Sequence, residues 1–257
     1  MLGVEIDTVT LEGAATRAAE LIALGGSHQV VTLNPEYLFR ARKEKDLLEI
    51  VRQAALVTAD GIGIVWAARV NGTGIPGRVT GIDLMLAICH RAAQAGWRVF
   101  FLGGRPGVAE DAAARLKSEI PGLQVAGTFH GYFSTAEEPE VIGRIRVTQP
   151  EVLFVGIGAP KQERWIHKNL RVLGVPLAMG VGGSFDVLSG RVKRAPVWMR
   201  RLGLEWLARL IREPRRWRRM LVLPRFALLV LRTRLGFGKT CLITSRTRGP
   251  GGGKEDE

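Results

Sequence analysis

The first 190 residues alternate between short apolar runs and longer stretches with helical patterning, and this rhythm constrains the fold more than any other feature. Runs of this kind, bounded by glycine and polar residues, are typical of strands buried on both faces of a parallel sheet. They predict an α/β fold, with a Rossmann-like, mostly parallel sheet flanked by helices over residues 1–190. The predicted strands are QVVTL (29–33), ALVTAD (55–60), WRVFFLGG (97–104), LQVAGTF, EVLFVGIG (151–158) and PLAMGVGG (176–183).

Helix-start signals follow several of these strands. Asn34 precedes a proline and an acidic residue, an order typical of an N-cap followed by the first helical turn. Thr80 is a candidate cap for GIDLMLAICHRAAQA, and Ser134 with Glu137 has the spacing of a capping box. Helices between strands are what the crossovers of a parallel sheet require.

Ligands of open parallel sheets bind at the carboxyl ends of the strands. The sequence therefore directs attention to the polar and glycine-rich residues at those ends, although pattern alone does not give the strand order. These residues are Thr32, Asn34, Asp60, Gly103, Gly104, Gly158, Gln162, Gly182 and Gly183.

Three of the candidate side chains carry a functional and a structural interpretation. Asp60 is either a general base at the mouth of the sheet or the N-cap of the next helix. Arg78 is either a phosphate clamp or a surface arginine. Gln162 is either a ligand-binding amide in the first turn of a helix or an ordinary exposed glutamine.

The turn at Gly103-Gly104 joins a strand to a helix, where backbone N–H groups are able to approach a phosphate. The segment Gly103–Gly107 lacks the spacing of a dinucleotide-binding motif, and the acidic residue expected about 20 residues further on is missing. Two interpretations therefore remain open: the turn lies beside a bound nucleotide, or it has a purely structural role. A nucleotide-dependent oxidoreductase is an alternative function that rests on this turn.

Charge is concentrated after the α/β region. Residues 1–190 hold 19 basic and 19 acidic residues, whereas residues 191–235 hold 14 basic residues against two acidic ones. We expect this appendage to form basic amphipathic helices at about 195–211 and 214–232, with no further strands after residue 190. Residues 236–257 are expected to be a disordered tail.

A basic appendage attracts a polyanion, whether nucleic acid, anionic lipid or a phosphorylated ligand, unless its cations only form a solvated helical face. Trp198, Trp206 and Trp217 lie among the arginines, which favours an interfacial membrane helix. The most apolar stretch, MLVLPRFALLVL, has 12 residues and is too short to span a bilayer. Because the start of the chain lacks a basic, apolar leader, we expect a cytoplasmic location.

Two cysteines and four scattered histidines predict neither a disulfide framework nor a metal site. The chain also has no Asp-x-Asp motif, a pattern of carboxylates that is suited to hold a divalent metal. Removal of the appendage after about residue 194 is expected to end activity and to improve solubility, because its mixture of tryptophan, leucine and arginine is poorly solvated when exposed.

The motifs taken together are far more specific than any one of them. The chain resembles the WecG/TagA/CpsF family of bacterial glycosyltransferases over roughly residues 3–235, and within it the N-acetylmannosaminyltransferases of wall teichoic acid synthesis. The resemblance is carried by TLNPEYL, TADGIGIVWAAR, RVTGID, FLGG, GIGAPKQERWI, GVGGSFDVLSG and RAPVWMRRLGLEWLARLIREPRRWRR, in that order.

The resemblance implies transfer of N-acetylmannosamine from UDP-N-acetylmannosamine to undecaprenyl-diphosphate-linked N-acetylglucosamine, with a β-1,4 linkage in the product. Other UDP-sugar donors occur in the family and remain an alternative. By the same resemblance Asp60 is the candidate base and Arg78 a second catalytic residue, while Thr32, Asn34 and Gln162 belong to the substrate-binding pocket. The appendage arginines that match those implicated in activity are Arg209, Arg216 and Arg219.

An inverting transfer needs one base and a source of positive charge for the diphosphate leaving group. Arginines supply such charge without a metal, so we expect no cofactor and metal-independent catalysis. The expected partners are the UDP-sugar, the polyprenyl-linked acceptor and the inner face of the membrane, which residues 191–235 would contact. Self-association into a homo-oligomer is left open by the sequence. A nucleic-acid-binding protein that uses the basic segment is a further alternative.

Overall fold

The computed structural model describes residues 3–214, 217–234 and 243–246. Its centre is a six-stranded sheet in which every pairing is parallel, and the strand order is β3-β2-β7-β6-β4-β5. The predicted α/β fold is confirmed. The strands are β2 (His28–Leu33), β3 (Leu56–Ala59), β4 (Arg98–Gly103), β5 (Gln124–Phe129), β6 (Val152–Gly156) and β7 (Leu177–Gly180).

Helices cover both faces of the sheet because successive strand residues point to opposite sides. Phe101 and Phe154 pack with one set of helices, whereas Leu102 and Val155 pack with the other. The first set is α1 (Leu11–Leu24), α5 (Gly81–Ala95), α6 (Val108–Glu119) and α9 (Ser184–Leu188). The second set is α2 (Pro35–Ala41), α3 (Lys45–Gln53), α4 (Ile62–Val70), α7 (Glu138–Thr148) and α8 (Lys161–Leu173).

The predicted helix-start signals are confirmed by hydrogen bonds. The Oδ1 atom of Asn34 accepts from the backbone N–H of Tyr37 at 2.9 Å, which caps α2. The hydroxyl of Thr80 accepts from the N–H of Asp83 and caps α5. Ser134 and Glu137 exchange both bonds of the capping box immediately before α7.

The appendage is helical but more broken than the sequence predicts. It consists of α10 (Val197–Arg201), α11 (Glu205–Arg212), α12 (Trp217–Met220) and α13 (Val222–Arg234). The predicted helix at about 195–211 is interrupted at Gly203, whose φ of 72° lies in the left-handed region. A Cβ at this position would lie 2.8 Å from the Cβ of Ile62, so glycine also allows the turn to approach α4.

The last helix of the appendage is part of the core. Phe226 and Val230 on α13 are buried in the apolar cluster that contains residues of α2 and α4. The appendage therefore packs on the α/β region along α13, and the helices α10 and α11 precede this contact.

The expectation that no strand follows residue 190 is wrong. Strand β8 (Ile243–Arg246) pairs in parallel with β1 (Val4–Asp7), which sequence patterning also missed. For residues 243–246 the predicted disordered tail is thus incorrect, because Ile243 is fully buried and pairing satisfies the backbone. The remainder of the predicted tail lies outside the described residues.

A buried ion pair fixes this second sheet. Asp7 is only 3% exposed, and its carboxylate accepts two hydrogen bonds from the guanidinium of Arg246, at 2.9 and 2.7 Å. The same carboxylate accepts from the N–H of Val57 at 2.7 Å, at the edge of the main sheet. The end of the described chain is thereby fastened to its beginning.

Replacing Arg246 by alanine is expected to lower the free energy of unfolding by about 2–4 kcal/mol, because a buried carboxylate loses its bidentate partner. Thermal or denaturant unfolding measures the loss. The exposed Arg232 on α13 supplies a control, since Arg232→Ala removes the same charge without touching Asp7. Equal stabilities of the two variants would show that the ion pair contributes nothing.

Candidate active site

A cavity of about 500 Å³ lies over the carboxyl ends of four neighbouring strands, β3, β2, β7 and β6. Its volume is within the range of small-molecule sites. It is lined by the segments that follow these strands, by residues of α4 and by residues of the appendage. The sequence-based expectation of a site at this edge of the sheet is therefore met by a cavity.

The structure brings most of the predicted site residues to this one cavity. Thr32, Asn34, Asp60, Arg78 and Gln162 all line it, although they come from four separate parts of the chain. Of the predicted glycines, Gly158, Gly182 and Gly183 line it with them. Parallel strands end at the same edge, which explains why residues so distant in sequence meet.

Gly103 and Gly104 are not among the described residues that line the cavity. They lie at the carboxyl end of β4, and β6 separates this strand from β7. The N–H of Gly104 donates to the carbonyl of Gly156 at 3.0 Å, and its carbonyl accepts from Gly131 at 2.8 Å. In this structure the turn joins neighbouring loops, and its predicted role in binding has no support from the cavity.

Asp60 is the first residue after β3. Its N–H donates to the carbonyl of Leu33 at 2.8 Å, so that the backbone of Asp60 is held against the end of β2. The N-cap of α4 is Gly61, and the interpretation of Asp60 as the N-cap is wrong. The residue lies in the cavity wall at a fixed backbone position, as a base for a bound substrate requires.

Gln162 is buried rather than exposed, with 3% of its surface accessible. Its Oε1 atom accepts from the N–H of Gly182 at 3.0 Å, and its Nε2 atom donates to Oε1 of Glu163 at 2.8 Å. Gly180 makes room for this pair, because a Cβ there would lie 2.6 Å from Nε2 of Gln162. The amide is thus held in one orientation at the cavity wall.

Glu163 is a cavity residue that the sequence interpretation missed. Its carboxyl is buried, and desolvation raises the pKa of Glu163 above its usual value. Its Oε2 atom has no hydrogen-bond partner in the described structure. In the sequence, the only sign of a role for Glu163 is its position next to Gln162 in the motif PKQE.

Arg78 is held by the appendage. Its Nη1 atom donates to Oε2 of Glu205 at 2.7 Å, and its Nη2 atom donates to the carbonyl of Arg200 at 3.0 Å. The Arg78 side chain is 18% exposed, so the interpretation as an ordinary surface arginine is wrong. A guanidinium at the cavity wall is suited to bind an anionic group of a ligand.

The appendage contributes an apolar wall that the sequence interpretation did not foresee. Two residues of α4 belong to the same apolar part of the lining. Its members are Ile62, Trp66, Trp206, Met220, Leu223, Phe226 and Ala227. From the sequence alone these residues are predicted to lie in the core or at the surface. Contacts between distant segments, such as those of α13 with α2 and α4, bring them to the site.

The predicted arginines of the appendage are not placed by the structure. Arg216 lies outside the described residues, and the side chains of Arg209 and Arg219 lie outside them as well. In residues 3–214, 217–234 and 243–246, no group of three or more His, Cys, Asp or Glu side chains is arranged to hold a metal ion. No helix within these ranges has the length and apolarity needed to cross a membrane.

Comparison with known proteins agrees with the motifs. Residues 1–240 match the family described as Glycosyl transferase WecG/TagA/CpsF family. A relative from Bacillus spizizenii is 38% identical over 203 residues, covering 79% of this chain and 78% of the relative. A relative from Staphylococcus aureus is 35% identical over 231 residues, covering 88% and 89%. Both are named N-acetylglucosaminyldiphosphoundecaprenol N-acetyl-beta-D-mannosaminyltransferase.

These matches span the α/β region and the appendage, and they decide against the oxidoreductase and nucleic-acid-binding alternatives. The family match also includes the residues that form the cavity. The chain belongs to the WecG/TagA/CpsF family and is a glycosyltransferase.

Proposed function

We propose that this enzyme transfers N-acetylmannosamine from UDP-N-acetylmannosamine to undecaprenyl-diphosphate-linked N-acetylglucosamine and forms a β-1,4 linkage. The names of the relatives support the transferred sugar and the lipid-linked acceptor. The observation that carries the proposal is the mixed lining of the cavity, which combines polar residues at the strand ends with apolar residues from α4 and the appendage.

This mixed lining matches the chemistry of the two substrates. Sugar hydroxyl and acetamido groups need hydrogen-bonding partners, and Thr32, Asn34 and Gln162 are polar lining residues at the strand ends. A polyprenyl chain is apolar, and contact with the accessible lining residues Trp206 and Leu223 would remove its first units from water.

The proposed reaction is a single displacement with inversion at the anomeric carbon. The carboxylate of Asp60 takes the proton of the acceptor hydroxyl while that oxygen forms a bond to the anomeric carbon. The bond from the anomeric carbon to the diphosphate oxygen breaks, and UDP leaves with the electron pair. An α-linked donor thereby gives a β-linked product.

Positive charge at the leaving group is the second requirement. Arg78 lies at the cavity wall, and guanidinium pairs with phosphate oxygens in a bidentate manner. We propose that Arg209, Arg216 and Arg219 add to this charge, as the family resemblance implies. With arginines in this role, catalysis is proposed to proceed without a metal ion or another cofactor.

The acceptor is embedded in a membrane, so the enzyme must reach the bilayer surface. We propose that the appendage holds the enzyme at the inner face of the cell membrane. Trp198 and Trp217 are more than half exposed, and Leu228 on α13 is 56% exposed. Each cationic residue close to an anionic surface adds about 1 kcal/mol of attraction, and exposed tryptophan favours the interface.

A UDP-release assay tests the reaction. With UDP-N-acetylmannosamine, we expect release only in the presence of a polyprenyl-diphosphate-linked N-acetylglucosamine, and the rate is expected to be unchanged by EDTA. The control omits the acceptor. Release from a different UDP-sugar alone would replace the proposed donor, and a loss of activity in EDTA that Mg²⁺ restores would contradict metal independence.

A further inference from the structure

Glu205 is an acidic residue in an unexpected place. The segment 191–235 contains 14 basic residues and only two acidic ones, Glu205 and Glu213. Glu205 begins α11 and lines the cavity, where a diphosphate leaving group would favour cations. A carboxylate at this point repels phosphate groups, so Glu205 is expected to have a role other than phosphate binding.

The carboxylate of Glu205 joins the appendage to the segment that begins at Arg78. One oxygen accepts from Nη1 of Arg78 at 2.7 Å, and the other lies 3.7 Å from Nε of Arg194. Arg194 in turn donates to Asp83 at 2.6 Å, and the other oxygen of Asp83 accepts from the Thr80 hydroxyl at 2.6 Å. These contacts connect α11, the start of the appendage and the start of α5.

The pair between Arg78 and Glu205 is well placed to restrict motion. Their side chains are 18% and 19% exposed, so the pair is less screened by solvent than a surface ion pair. Arg78 also donates from Nη2 to the carbonyl of Arg200. Two acceptors from the appendage thus fix the plane of the guanidinium, and its remaining N–H groups, which have no hydrogen-bond partner among the described residues, are able to donate to a ligand.

We propose that Glu205 is a positioning residue that orients Arg78 for the leaving group and makes this orientation depend on the docked appendage. The proposal rests on the proposed function, because it assigns Arg78 to the departing diphosphate. A flexible arginine would lose part of its effect on the transition state, since misplacement by about 1 Å is enough to cost up to a hundredfold in rate. The opposite role, a carboxylate that competes with the diphosphate for Arg78, predicts a gain of activity when Glu205 is neutralised.

The experiment compares Glu205→Gln with Glu110→Gln in the full-length enzyme, using UDP release from saturating and limiting donor. Both variants raise the charge of the protein by one unit, and Glu110 is exposed on α6, away from the cavity lining. We expect Glu205→Gln to lower kcat tenfold or more with a smaller change in the donor KM, whereas Glu110→Gln resembles wild type. Glu205→Asp, which keeps the charge, is expected to recover part of the loss.

A double-mutant cycle with Arg78→Ala separates positioning from damage to the fold. If Glu205 acts through Arg78, adding Glu205→Gln to Arg78→Ala causes little further loss. Three results would each overturn the proposal. The first is that the rate losses of the two single variants multiply in the double variant, and the second is that the two glutamine variants have equal rates. The third is that Glu205→Gln has a lower donor KM and a higher rate than wild type. Absence of transfer by wild type from every UDP-sugar would instead overturn the proposed function itself.

Discussion

Replacing Asp60 by asparagine is expected to lower acceptor-dependent UDP release by about a hundredfold to ten-thousandfold and to leave the fold intact. The loss follows from the role of the carboxylate, because an amide cannot accept the proton of the acceptor hydroxyl. The fold is expected to be retained because asparagine has nearly the shape of aspartate and leaves the backbone bond from the N–H of residue 60 to the carbonyl of Leu33 in place. Initial rates at saturating donor and acceptor measure the effect.

A matched control for this substitution is Asp111→Asn on α6. Asp111 is half exposed and pairs with Arg191 at the surface, so the same chemical change there should leave the rate near wild type. Thermal unfolding of both variants shows whether the fold is kept. Normal turnover by Asp60→Asn would exclude this residue as the base and would direct attention to another carboxyl of the cavity, such as Glu163.

The sequence predicted the parts of the site that depend on local rules. Strand runs, helix caps and a parallel arrangement are encoded within a few residues, and they place Asn34 and Asp60 at the same edge of the sheet. Strand order is not encoded in this way, because it depends on how the helices pack across the completed sheet. For this reason the sequence places Gly103 and Gly104 with the cavity residues. In the structure they do not line the cavity, because β6 separates their strand from β7.

Contacts between distant segments were also beyond sequence patterning. Asp7 and Arg246 are 239 positions apart, and four-residue strands such as β1 and β8 carry too little pattern to be recognised. Arg78 and Glu205 are 127 positions apart, and their pairing depends on how the appendage packs on the α/β region. The only sign of this contact in the sequence is that Glu205 is one of two acidic residues in a basic segment.

The packing of the appendage changes what its removal should do. Ending the chain at residue 194 would remove Glu205 from Arg78 and the apolar wall from the cavity, so we expect loss of transfer. It would also remove Phe226, Val230 and Ile243, which are buried against the α/β region, together with the partner of Asp7. The sequence alone predicted better solubility for such a chain, whereas the structure predicts lower stability and more aggregation.

The expected cost is several kcal/mol of unfolding free energy, because each large buried apolar side chain contributes about 1.5–3 kcal/mol. Denaturant unfolding, sedimentation and UDP release on the chain 1–194 test this expectation. The chain 1–246 is the control, since it retains both β8 and the ion pair between Asp7 and Arg246. A truncated chain 1–194 that unfolds at the same denaturant concentration as 1–246 would show that the appendage is only loosely attached to the core. Full activity of that chain would remove the appendage from catalysis altogether, and with it the roles assigned to Glu205 and the arginines.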